Sequence, residues 1–337
     1  MSIELSICIA TRNRGAYIGE TLTSIAAQCT SSVEIVVLDG ASTDNTEDVV
    51  HTLQATLPTL RYIKQDKNGG VDRDYDAAVG HSRGNYCWLM SDDDLLRPGA
   101  VDRVLHEIKN DYSLIVVNSE VRSLNLTELI DANRLQFLED RIYPSKNFET
   151  LFAEVSAYLT YIGAVVIRRK LWLERRREPY YGSNFIHVGV IFQQRLPNDT
   201  LVISKPLISI RLGNTQWRPK EFEIRMIRWT ELIFSLQEIP AEVRDHYYRR
   251  DPWRSLKSLM FYRAKGTYDA GEYRRWVRPR LKSWRDKLKA VSVAYFPGPL
   301  ANLIGLIYCS FDYRDSNIHY LDMKASRFYI RNWFKKP

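Results

Sequence analysis

The stretch "WLMSDDDLL" (Trp88–Leu96) places three consecutive aspartates directly after an apolar run. Adjacent carboxylates repel one another, and a carboxylate at the end of a buried strand loses its hydration. A divalent cation would neutralise this charge, because Mg²⁺ and Mn²⁺ prefer hard oxygen ligands and also bind the oxygens of a diphosphate. An acidic helix start is the alternative, but one aspartate before Pro98 would satisfy it. The stretch therefore predicts a site for Mn²⁺ or Mg²⁺ and a phosphate-bearing substrate.

Short apolar strands alternate with amphipathic helices throughout the first half of the chain. The strands lack polar alternation, so they are expected to form a parallel α/β sheet covered by helices on both faces. Ligands in such sheets bind beyond the carboxyl ends of the strands. The polar clusters 11–14, 39–44 and 91–94 each follow a strand and should meet at one edge. The predicted strands are Leu5–Ala10, Val33–Leu38, 60–65, 85–90 and 113–118.

Asp39 ends the second predicted strand in "VVLDGASTDNT". A carboxylate at this position can accept a hydrogen bond from a base N–H or a ribose hydroxyl, so we expect Asp39 to contact a nucleotide. Ser42 and Asp44 come just before the next helix, where hydroxyl and carboxylate oxygens commonly cap the first turn. For these two residues helix capping is the favoured interpretation.

Composition limits the class of protein. The chain has 337 residues, 45% of them hydrophobic, and a formal net charge of +8, which favours acidic partners. Its four cysteines show no metal-binding or disulfide spacing, and its N-terminus enters a strand without the pattern of a signal peptide, so a reducing cytoplasm is expected. The change in character near residue 219 divides the chain into an α/β domain (1–218) and a helical, basic and aromatic region (219–337).

The segment Ala290–Phe311 carries no charge and follows a basic stretch with interleaved tryptophans, 273–289. Pro297 and Pro299 interrupt it, which disfavours a straight membrane-spanning helix. The combination suits a segment that lies on an anionic membrane surface. A buried helical hairpin with a solvated basic face is the alternative.

Three ordered motifs resemble glycosyltransferase family 2, whose members have the GT-A fold, a Rossmann-like and mostly parallel sheet flanked by helices. The motifs are "SICIATRNRGAYIGETLTSIAAQ", "EIVVLDGASTDNT" and "NGGVDRDYDAAVGHSRGNYCWLMSDDDLLRPGAV". They match the family's opening strand, its D-G-x-S-T-D turn and its acidic D-x-D region before Pro-Gly. The form of the aspartate stretch is most similar to the branch with abequosyltransferase-like enzymes of O-antigen and capsule assembly.

The resemblance implies roles for particular residues. Counting back from Pro98 places the family's last acidic pair on Asp93 and Asp94 and its earlier Asp on Ser91, with Asp92 filling the gap. Asp94 and then Asp92 are favoured as the D-x-D metal ligands, and Asp92 and Asp93 are also expected to face the donor. Where the family often has Pro-Thr-Tyr-Asn, this chain has Ala10, Thr11, Arg12 and Asn13. The expected nucleotide-sugar site comprises Thr11, Arg12, Asn13, Asp39, Arg73, Asp76, Asp92, Asp93, Arg211, Trp217 and Arg218. The last three lie where relatives carry a mobile loop over the diphosphate.

The catalytic base is less well marked. The family usually carries a Glu-Asp pair after the D-x-D region, but the comparable stretch, 180–194, lacks it. His187 stands in that stretch and titrates near neutral pH, so it is a candidate base or metal ligand, with a structural role as the alternative. Glu139 and Asp140 are the other candidates.

The function that the resemblance implies is transfer of a sugar from a UDP, CDP, GDP or dTDP sugar to a lipid-linked (polyprenyl diphosphate) saccharide. The enzyme would be peripheral on the cytoplasmic side of the inner membrane, and the family inverts configuration. A nucleotidyltransferase would need a glycine-rich phosphate loop, and "ATRNRG" has one glycine. A nucleic-acid-binding module would explain the basic pI but leaves Asp39 and the aspartates unexplained.

Overall fold

The chain folds as two units in the computed structural model, which describes residues 2–311 and 316–330. The first unit comprises Met1–Arg211 with Leu236–Val243, and the second comprises Leu212–Ser235 with Arg244–Pro337. Residues 212–218, which the sequence division assigned to the α/β domain, group with the second unit.

A ten-stranded sheet forms the centre of the first unit, with the order β3-β2-β1-β4-β9-β6-β10-β5, while β7 pairs with β6 and β8 with β10. Each strand predicted from the sequence is present. The strands are β1 (Leu5–Thr11), β2 (Val33–Asp39), β3 (Leu60–Lys64), β4 (Tyr86–Met90), β5 (Leu95–Leu96), β6 (Leu114–Arg122), β7 (Leu129–Asp131), β8 (Arg141–Tyr143), β9 (Val165–Arg168) and β10 (Thr200–Arg211).

The sheet is mixed in direction. Strands β3, β2, β1 and β4 are parallel, as are β6 and β10, whereas β9 lies between β4 and β6 and is antiparallel to both. The α/β class is therefore confirmed, and the parallel expectation holds for the N-terminal half of the sheet. A short Val-Val-Ile run reads the same in either direction, so the sequence does not reveal the orientation of β9.

Helices cover the parallel strands. In α1, Ile18, Leu22 and Ile25 form the buried face at the predicted helical spacing. Helix α3 begins directly after Gly70, whose φ of 87° suits a residue without a Cβ atom. The helices of this unit are α1 (Ile18–Ala26), α2 (Thr46–Gln54), α3 (Val71–His81), α4 (Ala100–Glu107), α5 (Phe148–Val155), α6 (Arg169–Glu174) and α7 (Ile186–Phe192).

Strand β10 continues through Pro206. It is one strand whose register against β6 shifts on either side of that proline. Proline cannot donate to a ladder, and a bulge removes the need for that bond. The strand therefore continues to Arg211, at the edge where the polar clusters lie.

The buried strands hold this edge in place. Trp88 of β4 is fully buried, and its indole Nε1 donates to the carbonyl oxygen of Gly163 at 2.9 Å. Tyr75 of α3 donates from its hydroxyl to the carbonyl of Met90, the last residue of β4, at 2.9 Å. The end of β4, where the aspartates follow, is thus fixed from two directions.

The C-terminal part of the chain is helical. A buried aromatic cluster that includes Phe222 and Tyr268 forms a core in the second unit. The buried Lys265 ammonium pairs with Glu221 and, at 2.8 Å, with Asp322. The helices are α8 (Trp229–Ser235), α9 (Ala241–Tyr247), α10 (Leu256–Lys265), α11 (Ala270–Glu272), α12 (Trp284–Tyr295), α13 (Gly298–Phe311) and α14 (Ser316–Lys324).

Helices α12 and α13 meet at a 94° bend, and α13 starts directly after Pro297, with Pro299 in its first turn. Within residues 2–311 and 316–330 no helix alone has the length and apolar character to cross a membrane, whereas this bent pair does when taken together. Ala301, Asn302 and Cys309 of α13 are buried. The opposite side, which we call the apolar face, is exposed and consists of Leu300, Leu303, Ile304, Ile307, Tyr308 and Phe311.

Candidate active site

The carboxyl ends of β1 and β4 form the centre of the site. The chain runs from β1 outward to β2 and β3 on one side, while β4 pairs with β1 on the other. This reversal of strand order opens a crevice where the loops after β1 and β4 diverge, which is where open α/β sheets bind ligands. The aspartates of "SDDD" follow β4 and line this crevice together with the loop after β1.

Asn13 joins the loops after β1 and β2. It has a φ of 53°, its backbone N–H donates to the Ser42 hydroxyl at 2.8 Å, and its side-chain Oδ1 accepts from the Thr43 N–H at 2.8 Å. Thr11 is buried at the end of β1, and Arg12 is exposed. The polar clusters after β1 and β2 thus meet at one edge, as the sheet order predicts.

Asp39, the last residue of β2, has no exposed surface. Its Oδ1 accepts from the Ser42 N–H at 2.7 Å, and its Oδ2 accepts from the Tyr62 hydroxyl at 2.6 Å. Burial and the neighbouring Asp39 carboxylate raise the pKa of Tyr62, so the phenol stays a donor. Both carboxylate oxygens therefore accept hydrogen bonds from protein donors, and these bonds fix the turn after β2.

Asp92 and Asp93 share one cation. The Arg14 guanidinium lies 3.3 Å from an Asp92 oxygen and 3.1 Å from an Asp93 oxygen. Burial, followed by the charge of Asp93, raises the pKa of Asp92 to about 7, and Arg14 opposes that rise. The two carboxylates thus form a partly exposed, mutually repelling pair beside Arg14.

Asp94 has a different environment and is only 2% exposed. Its carboxylate accepts from the Ser91 hydroxyl, from the Tyr161 hydroxyl at 2.7 Å and from the backbone N–H of Arg211 at 2.8 Å. Burial and Asp94 raise the pKa of Tyr161 well above its usual value, which keeps that donor protonated. Asp94 therefore links the turn after β4 to the end of β10.

Arg211 makes its contacts within the first unit. Its Nε donates to the carbonyl oxygen of Asp93 at 3.0 Å and its Nη1 to that of Leu124 at 2.8 Å, while Nη2 pairs with Glu20. The guanidinium also lies 5.2 Å from the ring centre of Tyr17. It thus braces the backbone of the aspartate turn.

Trp217 and Arg218, the other predicted loop residues, belong to the second unit. Arg225 lies 5.2 Å from the Trp217 ring centre, and Arg218 donates to the backbone oxygen of Asp322 at 2.8 Å. Their contact with a diphosphate stays a prediction.

The start of α3 carries a second set of carboxylates. Asp72 accepts the backbone N–H groups of Gly182 and Asn184 at 2.8 Å each, and that of Ile186 at 3.1 Å. These bonds tie α3 to the loop before α7.

Asp76 and Arg73 contact the same loop. Asp76 accepts from the Trp172 indole N–H at 2.9 Å, pairs with the Arg177 guanidinium at 3.0 Å and accepts from the Tyr181 hydroxyl. The Arg73 guanidinium lies 4.3 Å from the ring centre of Tyr181. Asp76 is thus saturated by protein donors, whereas the exposed Arg73 covers one ring face.

Asp74, Arg14 and Tyr161 were not among the site residues predicted from the sequence. Arg14 and Tyr161 become relevant only through their partners in the aspartate turn. Asp74 lies two residues from Asp72 and two from Asp76 in "DRDYD". On a helix this spacing places Asp74 on a different side from those two residues. That alternation was the available signal.

The candidate bases lie in different surroundings. His187 of α7 is 1% exposed, its Nε2 donates to the carbonyl oxygen of Leu159 at 2.6 Å, and its Nδ1 has no partner among the described residues. Burial lowers the pKa of His187 to about 4, so the imidazole is neutral at pH 7.

Asp140 accepts from Arg103 and from the Ser204 N–H, and Glu139 is exposed next to it. Ser204 and Arg211 both belong to β10, and at about 3.3 Å per residue they are up to about 23 Å apart. Since Arg211 borders the aspartate turn, the Glu139–Asp140 segment lies at the other end of that strand.

The crevice offers carboxylate oxygens to a divalent cation. Within residues 2–311 and 316–330 no group of three or more His, Cys, Asp or Glu side chains is arranged to hold a metal ion. Mg²⁺-type ions are commonly held by one or two carboxylates together with substrate phosphates. The Asp92–Asp93 pair offers two adjacent carboxylates and fits that mode.

The sequence profile described as Glycosyl transferase family 2 matches residues 6–176, which is just over half of the chain and includes the whole crevice. The chain belongs to glycosyl transferase family 2. The predicted family and enzyme class are therefore confirmed.

Two curated relatives of this glycosyltransferase have informative names. Abequosyltransferase RfbV of Salmonella typhimurium is 25% identical over 230 residues, covering 64% of this chain and 69% of that protein. The GalNAc(5)-diNAcBac-PP-undecaprenol beta-1,3-glucosyltransferase of Campylobacter jejuni is 27% identical over 188 residues, covering 53% of this chain and 57% of that protein.

Solved structures confirm the GT-A-like fold of this glycosyltransferase. TarS 1–349 of S. aureus in complex with UDP-GlcNAc superposes with a TM-score of 0.59 at 15% identity, covering 98% of this chain and 92% of that one. Mannosyltransferase PcManGT from Pyrobaculum calidifontis, in complex with GDP-Man and Mn²⁺, gives a TM-score of 0.53 at 13% identity, covering 100% and 89%.

Proposed function

We propose that this enzyme transfers a sugar from a nucleotide sugar to a lipid-linked saccharide during assembly of a bacterial surface polysaccharide such as O-antigen or capsule. The observation that carries the proposal is the Asp92–Asp93 pair beside Arg14 at the crevice between β1 and β4. The name of the Campylobacter jejuni relative, which includes a diphosphate-linked undecaprenol, supports the acceptor class.

For a bound Mn²⁺ or Mg²⁺ we assign Asp92 and Asp93 as protein ligands. The sequence favoured Asp94 with Asp92, but three protein donors already use the oxygens of Asp94. When bound, such an ion stabilises negative charge on a diphosphate leaving group. Arg14 supplies a further positive charge at the same place and can pair with phosphate oxygens.

The reaction joins the acceptor oxygen to the anomeric carbon as the bond from that carbon to the diphosphate oxygen breaks. The hydroxyl proton passes to a base, and the nucleoside diphosphate leaves. We propose His187 as this base, since Nδ1 of the neutral ring holds a lone pair without a partner among the described residues. Attack from the side opposite the leaving group inverts the configuration.

We further propose that the second unit binds an anionic membrane surface through the apolar face of α13. Four of its side chains, Leu303, Ile304, Ile307 and Phe311, are 44–81% exposed. The Lys257 ammonium lies 2.7 Å from the Tyr308 hydroxyl at the margin of this face, which places a cation next to apolar surface.

The preceding helix adds the same combination of side chains. Trp284 and Leu288 of α12 are 69% and 58% exposed, and Arg285 and Lys289 on that helix are exposed as well. Apolar insertion together with basic residues is the pattern of interfacial helices on anionic lipids. Such attachment would hold the enzyme near a lipid-linked acceptor at the cytoplasmic face of the inner membrane.

A flotation assay with vesicles of phosphatidylglycerol and phosphatidylethanolamine tests the membrane proposal. Wild-type protein should float with the vesicles at low salt and be partly released at high salt, because charge attraction is screened. The double variant Ile304→Glu/Ile307→Glu should lose at least about tenfold in binding, since each change places a charge in the apolar layer. Leu138→Glu alters an exposed leucine of the first unit and serves as the control. Equal flotation of wild type and double variant would contradict the proposal.

The transferase proposal is tested by release of nucleoside diphosphate from a panel of UDP, CDP, GDP and dTDP sugars, with and without an undecaprenyl diphosphate-linked saccharide. We expect one donor to be turned over in the presence of Mn²⁺ or Mg²⁺ and turnover to stop with EDTA. Full turnover in excess EDTA would contradict the assignment of a metal to Asp92 and Asp93.

A further inference from the structure

Asp74 is a buried carboxylate without a partner. The residue is 6% exposed, and its carboxylate makes no hydrogen bond or ion pair with any described residue. Its neighbours on α3 differ, since Asp72 and Asp76 are each bonded to several donors. Both carboxylate oxygens keep some contact with solvent, so a ligand that enters from solvent can supply the donors that the protein does not.

The fold makes room for this carboxylate at the end of β2. A Cβ atom on Gly40 would lie 2.5 Å from Oδ2 of Asp74, so the glycine that follows Asp39 allows the close approach. Asp39 and Arg12 are the charged groups that act on Asp74 most strongly, and Asp72 adds a smaller repulsion. Asp74 thus lies beside the turn after β2, within the edge that forms the crevice.

The spacing of the strands relates Asp74 to the aspartate pair. Strands β2 and β4 flank β1, so their ends are two strand spacings, or about 10 Å, apart. A nucleoside diphosphate with its phosphates at Asp92 and Asp93 extends over a comparable distance through its ribose to its base. The base then reaches the end of β2, where the Asp74 carboxylate can accept hydrogen bonds from it.

We infer that Asp74 reads the base of the donor nucleotide and selects a base that carries an amino group, as cytosine and guanine do, over uracil and thymine. This inference rests on the proposed use of a nucleotide-sugar donor. An amino group supplies N–H donors to the carboxylate, whereas uracil and thymine present carbonyl oxygens on both sides of a single N–H. A carboxylate that accepts this single N–H also lies against a flanking carbonyl oxygen, and the repulsion between the two acceptors weakens the binding of uracil and thymine.

The charge on Asp74 is compatible with this role. Burial and the nearby Asp39 raise the pKa of Asp74 to about 6, and Arg12 opposes the rise. At pH 8 the carboxylate is ionised and accepts hydrogen bonds only. An amide side chain at this position would present donors to the same base edge, so Asp74→Asn is the natural test.

The experiment measures binding of CDP, GDP, UDP and dTDP by calorimetry at pH 8 with Mn²⁺, for the full chain and for Asp74→Asn. Wild type should bind CDP or GDP at least about tenfold more tightly than UDP and dTDP, and the panel distinguishes cytosine from guanine. Asp74→Asn should reduce that ratio at least about tenfold, because the new N–H₂ group pairs with a carbonyl oxygen.

Asp66→Asn removes an exposed charge just before α3 and should leave the ratio unchanged. Thermal unfolding of Asp74→Asn should match or exceed that of wild type, because an unpartnered buried charge is removed. Tighter binding of UDP or dTDP by wild type, or an unaltered ratio in folded Asp74→Asn, would overturn the inference while leaving the proposed function intact. Failure of all four nucleotides to bind would overturn the proposed function itself.

Discussion

The first unit has two acidic turns, Ser91–Asp94 after β4 and Asp72–Asp76 at the start of α3. Each contains two kinds of carboxylate. In each turn some carboxylates are saturated by protein donors, namely Asp94 in the first and Asp72 and Asp76 in the second. The others differ, since Asp92 and Asp93 both pair with Arg14, and the Asp74 carboxylate makes no hydrogen bond with a described residue.

The number of protein donors to each carboxylate distinguishes structural from ligand-binding acids in an acidic stretch. A carboxylate accepts up to about four hydrogen bonds, and buried polar groups are normally satisfied. Where protein donors already fill these positions, the residue holds the fold together. Where they do not, the excess charge is available for a cation or for a substrate donor.

The largest predicted effect is the loss of turnover in Asp93→Asn. Turnover should fall by about 10³-fold or more, because a metal ligand that stabilises the leaving diphosphate is lost and such stabilisation amounts to several kcal/mol. The free energy of unfolding should change little, since Asp93 repels its neighbour Asp92. Steady-state kinetics together with urea unfolding measure both. Unaltered turnover would show that Asp93 is not a ligand of the catalytic metal.

Asp94→Ala should show the reverse. It leaves the hydroxyl of Tyr161 and the N–H of Arg211 without their acceptor, so the free energy of unfolding should fall by at least about 3 kcal/mol. Urea unfolding with wild type as the reference provides the measurement. A loss below about 1 kcal/mol would mean that Asp94 is not the structural member of its turn.

His187 extends the comparison to pH. Its pKa in the folded protein, about 4, is below the ordinary value of 6.5, so acid protonates the unfolded chain first. The resulting stability is fully present above pH 6.5 and is lost as the pH falls toward 4, by about 3 kcal/mol in total. His187→Gln should remove this component from the pH profile of chemical unfolding. An identical slope in both proteins would show that the histidine is not buried as a neutral ring.

The same variant tests the proposed base and is expected to give the smallest effect of the series on turnover. Glutamine can still donate to the carbonyl of Leu159 but cannot take a proton, so turnover should fall about 10²-fold with unaltered donor affinity. Full turnover in His187→Gln would leave the unpartnered Nδ1 without a catalytic role.

The sequence predicted the α/β class, the GT-A family and the meeting of the polar clusters at one edge, because strand and helix periodicity and motif order are local properties. It did not predict which aspartates are saturated. The donors to Asp94 come from Tyr161 and Arg211, which are distant in the sequence, and their arrival depends on β10 continuing past Pro206. The antiparallel insertion of β9 was hidden for the same reason, since strand direction is decided by tertiary packing.

The exposed side of α13 illustrates the opposite case. The uncharged run 290–311 was visible in the sequence, but composition alone did not distinguish a buried hairpin from an interfacial segment. The 94° bend between α12 and α13 and the exposed Ile304 and Ile307 give the interfacial reading its support. The flotation assay tests whether this surface binds anionic lipids.

We propose that Asp92 and Asp93, rather than Asp94, bind the metal ion that in turn holds the donor diphosphate. Calorimetry of nucleoside diphosphate binding with and without Mn²⁺ on wild type, Asp93→Asn and Asp94→Asn tests it most directly. We expect Mn²⁺ to strengthen nucleoside diphosphate binding to wild type and to folded Asp94→Asn but not to Asp93→Asn. Mn²⁺-dependent binding that survives in Asp93→Asn and is lost in folded Asp94→Asn would contradict it.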